Sequence, residues 1–376
     1  MAGIYIHIPF CKQACYYCNF HFSTVLSYKE KLVSAIAKEL FLRKEELAGE
    51  KIETVYFGGG TPSLLNEKEL NLLLEALYAH YDLSEVKEFT LEANPDDVKN
   101  AFLKMLSTTP INRLSMGIQS FEEDHLKLMN RAHSANEAIY CVDRAKQFGI
   151  EKISIDLIYG IPGMSMATWQ NNLQKALNLP IDHISSYCLT VESQTVFGKY
   201  KERNKLILPE DEETSNQFLE LINQTQKFGF DHYEISNFGK PDSYALHNTN
   251  YWKGKSYLGA GPGAHSYYPG TRMWNVSNNQ SYMKALDAGI LPLEKEILSK
   301  KDMFNETIMT GLRTMWGVNL LEIEEKFGLE YLITLRQDLA EYILSGYVVE
   351  TKEAFILSKE GRFLADGIAS SAFRTN

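Results

Sequence analysis

The stretch Tyr5-Ile6-His7-Ile8-Pro9-Phe10-Cys11-Lys12-Gln13-Ala14-Cys15-Tyr16-Tyr17-Cys18 decides how the chain is read. A short apolar strand, Gly3 to Ile8, runs into a loop holding three of the five cysteines, spaced by three and then two residues. Thiolates this close on one loop can wrap a metal centre. A cubane [4Fe–4S] cluster has four irons and usually takes four thiolates, so three local cysteines leave one iron open. The other reading is a structural zinc loop completed by His7 or His21. Structural zinc favours paired ligand sets, and Cys141 and Cys188 stand alone, so the spacing favours the cluster.

Composition sets the frame. The 376 residues are 44% hydrophobic, enough for one large domain and a small one. Lysine and arginine total 38 against 48 aspartates and glutamates, a net charge of −10. With no long basic run, nucleic-acid binding is not expected. No run of about 18 apolar residues is present, so no membrane span is expected. The first strand begins almost at Met1, so no signal peptide is expected. An odd number of cysteines, three of them in one loop, fits the reducing cytoplasm better than a disulfide framework.

Strand and helix signals then alternate. Ser27 to Glu30 has the form of a capping box, and Tyr28, Leu32, Ile36 and Leu40 predict a helix reaching about Leu47. Strands are expected at Thr54–Phe57, Glu88–Glu92, Arg113–Gly117, Ile153–Ile158 and His183–Leu189, with helices between them. About six such βα units make an α/β fold, an open partial (β/α) barrel. Residues 1–190 are read as this core and 191–301 as a less regular extension, rich in Gly, Tyr and Asn from 237 to 278. Residues 302–376 read as three helices (Met303–Met315, Leu320–Phe327, Glu330–Leu344) and a β-ribbon, a winged-helix-like domain. Its acidic surface suggests protein contact over DNA binding.

Polar residues recur at strand ends: Gly59-Gly60-Thr61 after the second strand, Glu92 after the third, then Gln119 and Asp156, with Arg131 in Asn130-Arg131-Ala132-His133. Each alone is more often structural. In register with a cysteine loop they suit one ligand: glycines expose backbone, arginine suits a carboxylate, and acids or amides suit ribose hydroxyls. The CxxxCxxC loop after a first strand resembles the radical S-adenosylmethionine (SAM) superfamily, where the open iron chelates the methionyl amino and carboxylate groups of SAM. The stretches Tyr-Ile-His-Ile-Pro-Phe-Cys, Gly-Gly-Gly-Thr-Pro, Gly-Ile-Gln-Ser, Asn-Arg-Ala-His, Ile-Asp-Leu-Ile-Tyr-Gly-Ile-Pro and His247-Asn248-Thr249-Asn250-Tyr251-Trp252 resemble one branch more closely. That branch is the oxygen-independent coproporphyrinogen III oxidase family and its HemW-type haem-chaperone relatives.

The resemblance implies a [4Fe–4S] cluster on Cys11, Cys15 and Cys18, and SAM contacts from Tyr5, Tyr17, Gly59, Gly60, Thr61, Glu92, Gln119, Arg131 and Asp156. It also implies haem near His247, in the HNxxYW motif proposed as part of the haem site. From the residues alone, a histidine in a loop is more often a backbone hydrogen-bonding group, with His7, His21 and His265 the next candidates. The porphyrinogen-oxidising enzymes carry a further cysteine two residues after the third; Phe20 stands there. They also have an N-terminal arm that is not expected here. Both departures point to the chaperone side. The expected partners are haem and haem-accepting proteins such as respiratory enzymes, with peripheral contact to membrane-bound acceptors. Oxidative decarboxylation of coproporphyrinogen III is the alternative.

Overall fold

The computed structural model describes residues 1–375. Strands β1 (Ala2–Ile8), β2 (Ile52–Gly59), β3 (Glu88–Ala93), β4 (Arg113–Gln119), β5 (Lys152–Tyr159) and β6 (His183–Cys188) pair in parallel, in chain order. Between them run α1 (Lys29–Leu42), α2 (Glu67–His80), α3 (Asn100–Leu106), α4 (Glu123–Leu128), α5 (Ala135–Gln147) and α6 (Met166–Leu177). Strand side chains alternate sides. Ile4, Ile6, Ile8, Val55, Phe57, Leu91, Met116 and Ile155 therefore join the main core, while Tyr5, Tyr56, Glu92, Ser115 and Asp156 take the opposite, concave face. The sheet stays open, as the sequence predicts.

The extension is more regular than its sequence suggests. After α7 (Val196–Glu202) and α8 (Asp211–Lys227) come β7 (Asp231–Glu234) and β8 (Asn237–Gly239), antiparallel on the β6 edge. Next are α9 (Leu246–Trp252), β9 (Tyr257–Ala260), β10 (His265–Tyr268), β11 (Thr271–Asn275), α10 (Asn279–Asp287) and β12 (Leu293–Ile297). Strand β9 lies parallel to β1, and β10 to β12 continue antiparallel, giving twelve strands in one sheet. Long-range pairing with β1 and β6 supplies order that local propensity does not.

The last part has its own core, including Phe304, Ile308, Leu335 and Phe355. It comprises α11 (Lys300–Leu312), β13 (Val318–Asn319), α12 (Leu320–Phe327), α13 (Leu329–Asp338), α14 (Ala340–Leu344), β14 (Val348–Glu350), β15 (Ala354–Leu357) and α15 (Ala365–Ser371). The small sheet has the order β13-β15-β14. Among the described residues no helix is long and apolar enough to cross a membrane.

Four local expectations need correcting. Ser27 caps nothing: α1 starts at Lys29, and Tyr28 instead donates its hydroxyl to Ser23 Oγ (2.8 Å) and packs on Phe10. The helix ends at Leu42 rather than near Leu47; Leu47 is buried from a turn, which mimics helical period. The third C-terminal helix is broken at Leu339. Finally, His247 lies on a helix, α9, and not in a loop.

One buried ion pair ties the edge ribbon to the core. Glu39 of α1 accepts from Arg43 Nη1 (2.9 Å), Gly261 N (2.8 Å), Asn275 Nδ2 (2.7 Å) and the Tyr282 hydroxyl. Arg43 also donates to Gly259 O (2.7 Å) and Ser266 Oγ (2.9 Å). Both charged side chains are fully buried. Removing one partner strands the other charge, which costs about 3–5 kcal/mol. Glu39→Ala should lower unfolding free energy by about that amount in urea titration; a change under about 1 kcal/mol would mean the network is not what holds the ribbon.

Candidate functional site

The site forms where the parallel strands end, and the cysteine loop is shaped by contacts distant in sequence. Lys12 pairs with Asp96 (2.6 Å) and with Asp97. Gln13 Nε2 donates to Asn130 O (2.6 Å), Asn130 Nδ2 to Ala14 O (2.8 Å), and Tyr16 N to Met129 O (3.1 Å). Asn130 and Gln119 are two non-glycine residues with left-handed backbone, at φ 55° and 66°. Such conformations cost energy and persist where surrounding bonds hold them. At Asn130 the two hydrogen bonds to the cysteine loop do this.

Cys11, Cys15 and Cys18 are partly exposed and unpaired. Thr61 Oγ1 donates to Cys11 Sγ (3.5 Å) and Arg131 Nη1 to Cys15 Sγ (3.2 Å). Burial pushes the Cys11 thiol up to about 11, and also raises Cys18. Metal loading would therefore release protons. Among the described residues no three His, Cys, Asp or Glu side chains converge tightly enough for a single metal ion. His7 and His21 are also engaged: His7 Nε2 donates to His21 O (3.1 Å), so Nδ1 accepts from the Tyr5 hydroxyl (2.9 Å), and His21 Nε2 bonds Asn279 Oδ1 (2.7 Å). Neither histidine converges with the thiols on a single-ion site among the described residues. Three thiols on one loop, with hydrogen-bond donors aimed at two sulfurs, fit an iron–sulfur cluster.

Around this loop the structure gathers the strand-end residues. Gly59 has φ 111°, and a Cβ there would lie 2.6 Å from the His7 ring. A Cβ on Gly60 would lie 2.6 Å from Phe10 O. Only glycine lets β2 come this close to the cysteine loop. Glu92 accepts from Tyr56 Oη (2.7 Å) and Gly59 N (3.2 Å). Arg131 Nη2 donates to Asn94 Oδ1 (2.7 Å) and Gly117 O (2.6 Å), while its buried Nε has no partner. Burial opposes the guanidinium charge, but nearby Tyr17 and Cys15 raise its pKa overall. Asp156 accepts from Ser115 Oγ (3.4 Å), and Tyr17 lies close enough to feel both Arg131 and Asp156. The Gln119 side chain lies beside Gly117.

His247 lies elsewhere, at the opposite end of the strands. Its Nδ1 shares a hydrogen bond with Thr54 Oγ1 (2.8 Å) and its Nε2 with Tyr251 Oη (2.8 Å). Its ring stacks on Tyr56 at 5.1 Å, and its backbone N–H is held by Glu88 Oε1 (3.0 Å). It closes the floor of the concave face beneath Tyr5 and Tyr56. Sequence reading missed Tyr56 and Asn94. Strand alternation contains the signal, since Tyr56 is two residues before Gly58, and Asn94 two after Glu92.

Comparison with known proteins places this geometry. Residues 5–176 match the radical SAM superfamily and 298–364 the HemN C-terminal domain. The chain is similar to the heme chaperone HemW of Lactococcus lactis subsp. lactis (strain IL1403), at 34% identity over 97% of this chain and 95% of the relative. It is similar to the heme chaperone HemW of Bacillus subtilis (strain 168), at 33% identity over 98% of both chains. Its fold is similar to coproporphyrinogen III oxidase (HemN) from Escherichia coli, with a TM-score of 0.86 and 22% identity over 99% of this chain and 90% of that one.

Two carboxyls in this site titrate unusually. Burial raises Glu92 to about 7, with Asp156 adding, and burial raises Asp156 to about 6. Unfolded carboxyls titrate near 4. Between about pH 4 and 7 these two groups therefore bind more protons folded than unfolded, so the stability they contribute falls as pH rises. Relative to ligand-free wild type, Glu92→Gln should gain melting temperature as pH rises across that window, because the variant lacks the Glu92 contribution that wild type loses. An unchanged slope in the variant would show that Glu92 ionises normally.

Proposed function

The chain belongs to the HemW family of radical SAM proteins, and from that premise we propose that it is a haem chaperone that holds a [4Fe–4S] cluster and SAM, binds haem and delivers it to acceptor proteins. Near-full-length similarity to two HemW proteins carries this reading, and the three unpaired thiols set among strand-end polar groups support it. Cys11, Cys15 and Cys18 would hold the cluster. A bound cluster with SAM supplies one-electron chemistry at a sulfonium.

The chain's own residues would bind and orient that ligand. Arg131, whose Nε has no partner in the protein, suits a carboxylate. The Gly59-Gly60-Thr61 backbone and Glu92 suit the ammonium, and Asp156 and Gln119 the ribose hydroxyls. Tyr5 and Tyr17 would wall the site. The acceptors would be proteins such as respiratory enzymes, met from the cytoplasm, some of them at a membrane surface.

Porphyrinogen oxidation is the competing activity. Phe20, 71% exposed, stands where the oxidising enzymes resembled by this chain carry a further cysteine. The likeness to HemN is one of fold at low identity. After anaerobic reconstitution, Cys11→Ala, Cys15→Ala and Cys18→Ala should each lose iron–sulfur absorbance near-completely, and Cys141→Ala and Cys188→Ala should keep it. The reduced, SAM-supplemented wild type should bind haem yet leave coproporphyrinogen III unconverted. Multiple-turnover formation of protoporphyrinogen would replace the chaperone reading with the enzymatic one.

A further inference from the structure

Haem iron is commonly held by an imidazole, which needs a ring nitrogen with an uncommitted lone pair. The chain has nine histidines. Seven of them have a ring nitrogen in a protein hydrogen bond: His7, His21, His125, His133, His183, His232 and His247. His247 has both nitrogens committed, and is buried. Among the described residues, only His80 and His265 have neither, while His133, His183 and His232 are buried or part-buried and His21, partly exposed, keeps Nδ1 free but sits in the cysteine loop. His80 packs on Phe41 between the outer helices α1 and α2. His265 is exposed and opens β10.

His265 does not stand alone. Its cross-strand partner is Trp274, with ring centroids 6.1 Å apart and planes at 30°. The next pair on the same face is Tyr267 and Arg272, and Tyr267 stacks on Tyr257 at 6.4 Å. With Glu296 these residues line a cavity of about 230 Å³. Tyr257 pairs with Gly3 of β1, so this face continues the concave face that carries Tyr5 and His7. The cavity therefore belongs to the same surface as the cysteine loop, displaced to the sheet edge.

We propose that haem docks on this edge ribbon, with the His265 imidazole as axial ligand and Trp274 and Tyr267 against the porphyrin. The assignment rests on the chaperone reading and goes beyond it, moving the ligand from the HNxxYW motif to β10. With the indole at 30° to the imidazole, both rings stand upright to a porphyrin ligated by His265, so Trp274 meets it edge-to-face, a favourable aromatic geometry. Partial desolvation, with the Arg272 charge adding, lowers the His265 pKa, in the direction that favours the neutral ring. Arg272, the cation lining this cavity, is paired with Glu306 and lies 4.0 Å from Glu296, and Trp274 Nε1 donates to Glu294 (3.1 Å), so the site would hold haem by ligation and aromatic contact, not by charge. Sites that engulf a drug-sized ligand span roughly 300–1,000 Å³. This cavity, at about 230 Å³, takes part of a porphyrin and leaves the rest outside it. His247, by contrast, is a floor residue of the sheet.

The test is titration of cluster-loaded, anaerobic full-length protein with iron protoporphyrin IX, read by Soret absorbance and magnetic circular dichroism. Wild type should show saturable binding with a histidine-ligated spectrum. His265→Ala should lose that spectrum and bind at least about tenfold more weakly, with an unchanged melting temperature because the side chain is exposed. Trp274→Ser should weaken binding while keeping the histidine signature. His247→Ala should lower the melting temperature and keep the signature. Wild-type binding that His265→Ala leaves unchanged in spectrum and affinity overturns this assignment alone. Absence of saturable binding by wild type overturns both it and the chaperone reading.

Discussion

The site depends first on the Arg131 guanidinium. It donates at once to the Cys15 sulfur, to Asn94 at the end of β3 and to the Gly117 carbonyl in β4. A largely enclosed cation is costly unless its donors are used, so the three contacts are coupled. The thiol loop cannot shift without unpairing Arg131, and Arg131 cannot shift without releasing two strands. The left-handed Asn130 beside it holds the loop backbone, so the α4–α5 turn acts as the mould for the cysteines. Nε is the one guanidinium nitrogen left without a partner.

A second constraint acts from below. An open sheet of parallel strands has a concave face lined by polar groups that need partners. Here α9 supplies them from 246 to 252: Glu88 accepts the backbone N–H groups of Leu246 and His247, and Thr54 meets the His247 ring. Tyr5 and Tyr56 rest on that ring and in turn meet His7 and Glu92. A column of contacts thus runs from the HNxxYW motif up to the candidate SAM site. The motif's sequence pattern is accounted for by this support, whatever ligand it also touches.

The edge ribbon gives the fold its asymmetry. Strands β9 to β11 carry Tyr257, Tyr267 and Trp274 on the concave side while Ser266 and Tyr268 turn back toward the Arg43–Glu39–Glu46 network. The ion network fixes which face is presented. The same buried pair that anchors the ribbon leaves the His265 and Trp274 side of it facing away from the Arg43–Glu39 network.

Periodicity and motif spacing alone determined much. Alternating βα signals specify an open α/β sheet because each strand's apolar side must be covered by the helix that follows it. The cysteine spacing specifies one metal-binding loop because thiols so close in sequence are necessarily close in space. The strand-end residues Glu92, Gln119 and Asp156 were legible because parallel strands align their ends. Tertiary structure decided the rest. The strands within residues 231–297 form because β1 and β6 offer unpaired edges, which no local pattern announces. Whether a histidine is a strut or a free ligand depends on which distant hydroxyls reach its nitrogens. Thr54 and Tyr251 take both nitrogens of His247, and among the described residues no hydrogen bond takes those of His265. Sequence proximity cannot encode that, because such pairings are set by how far-separated strands and helices come to lie against one another.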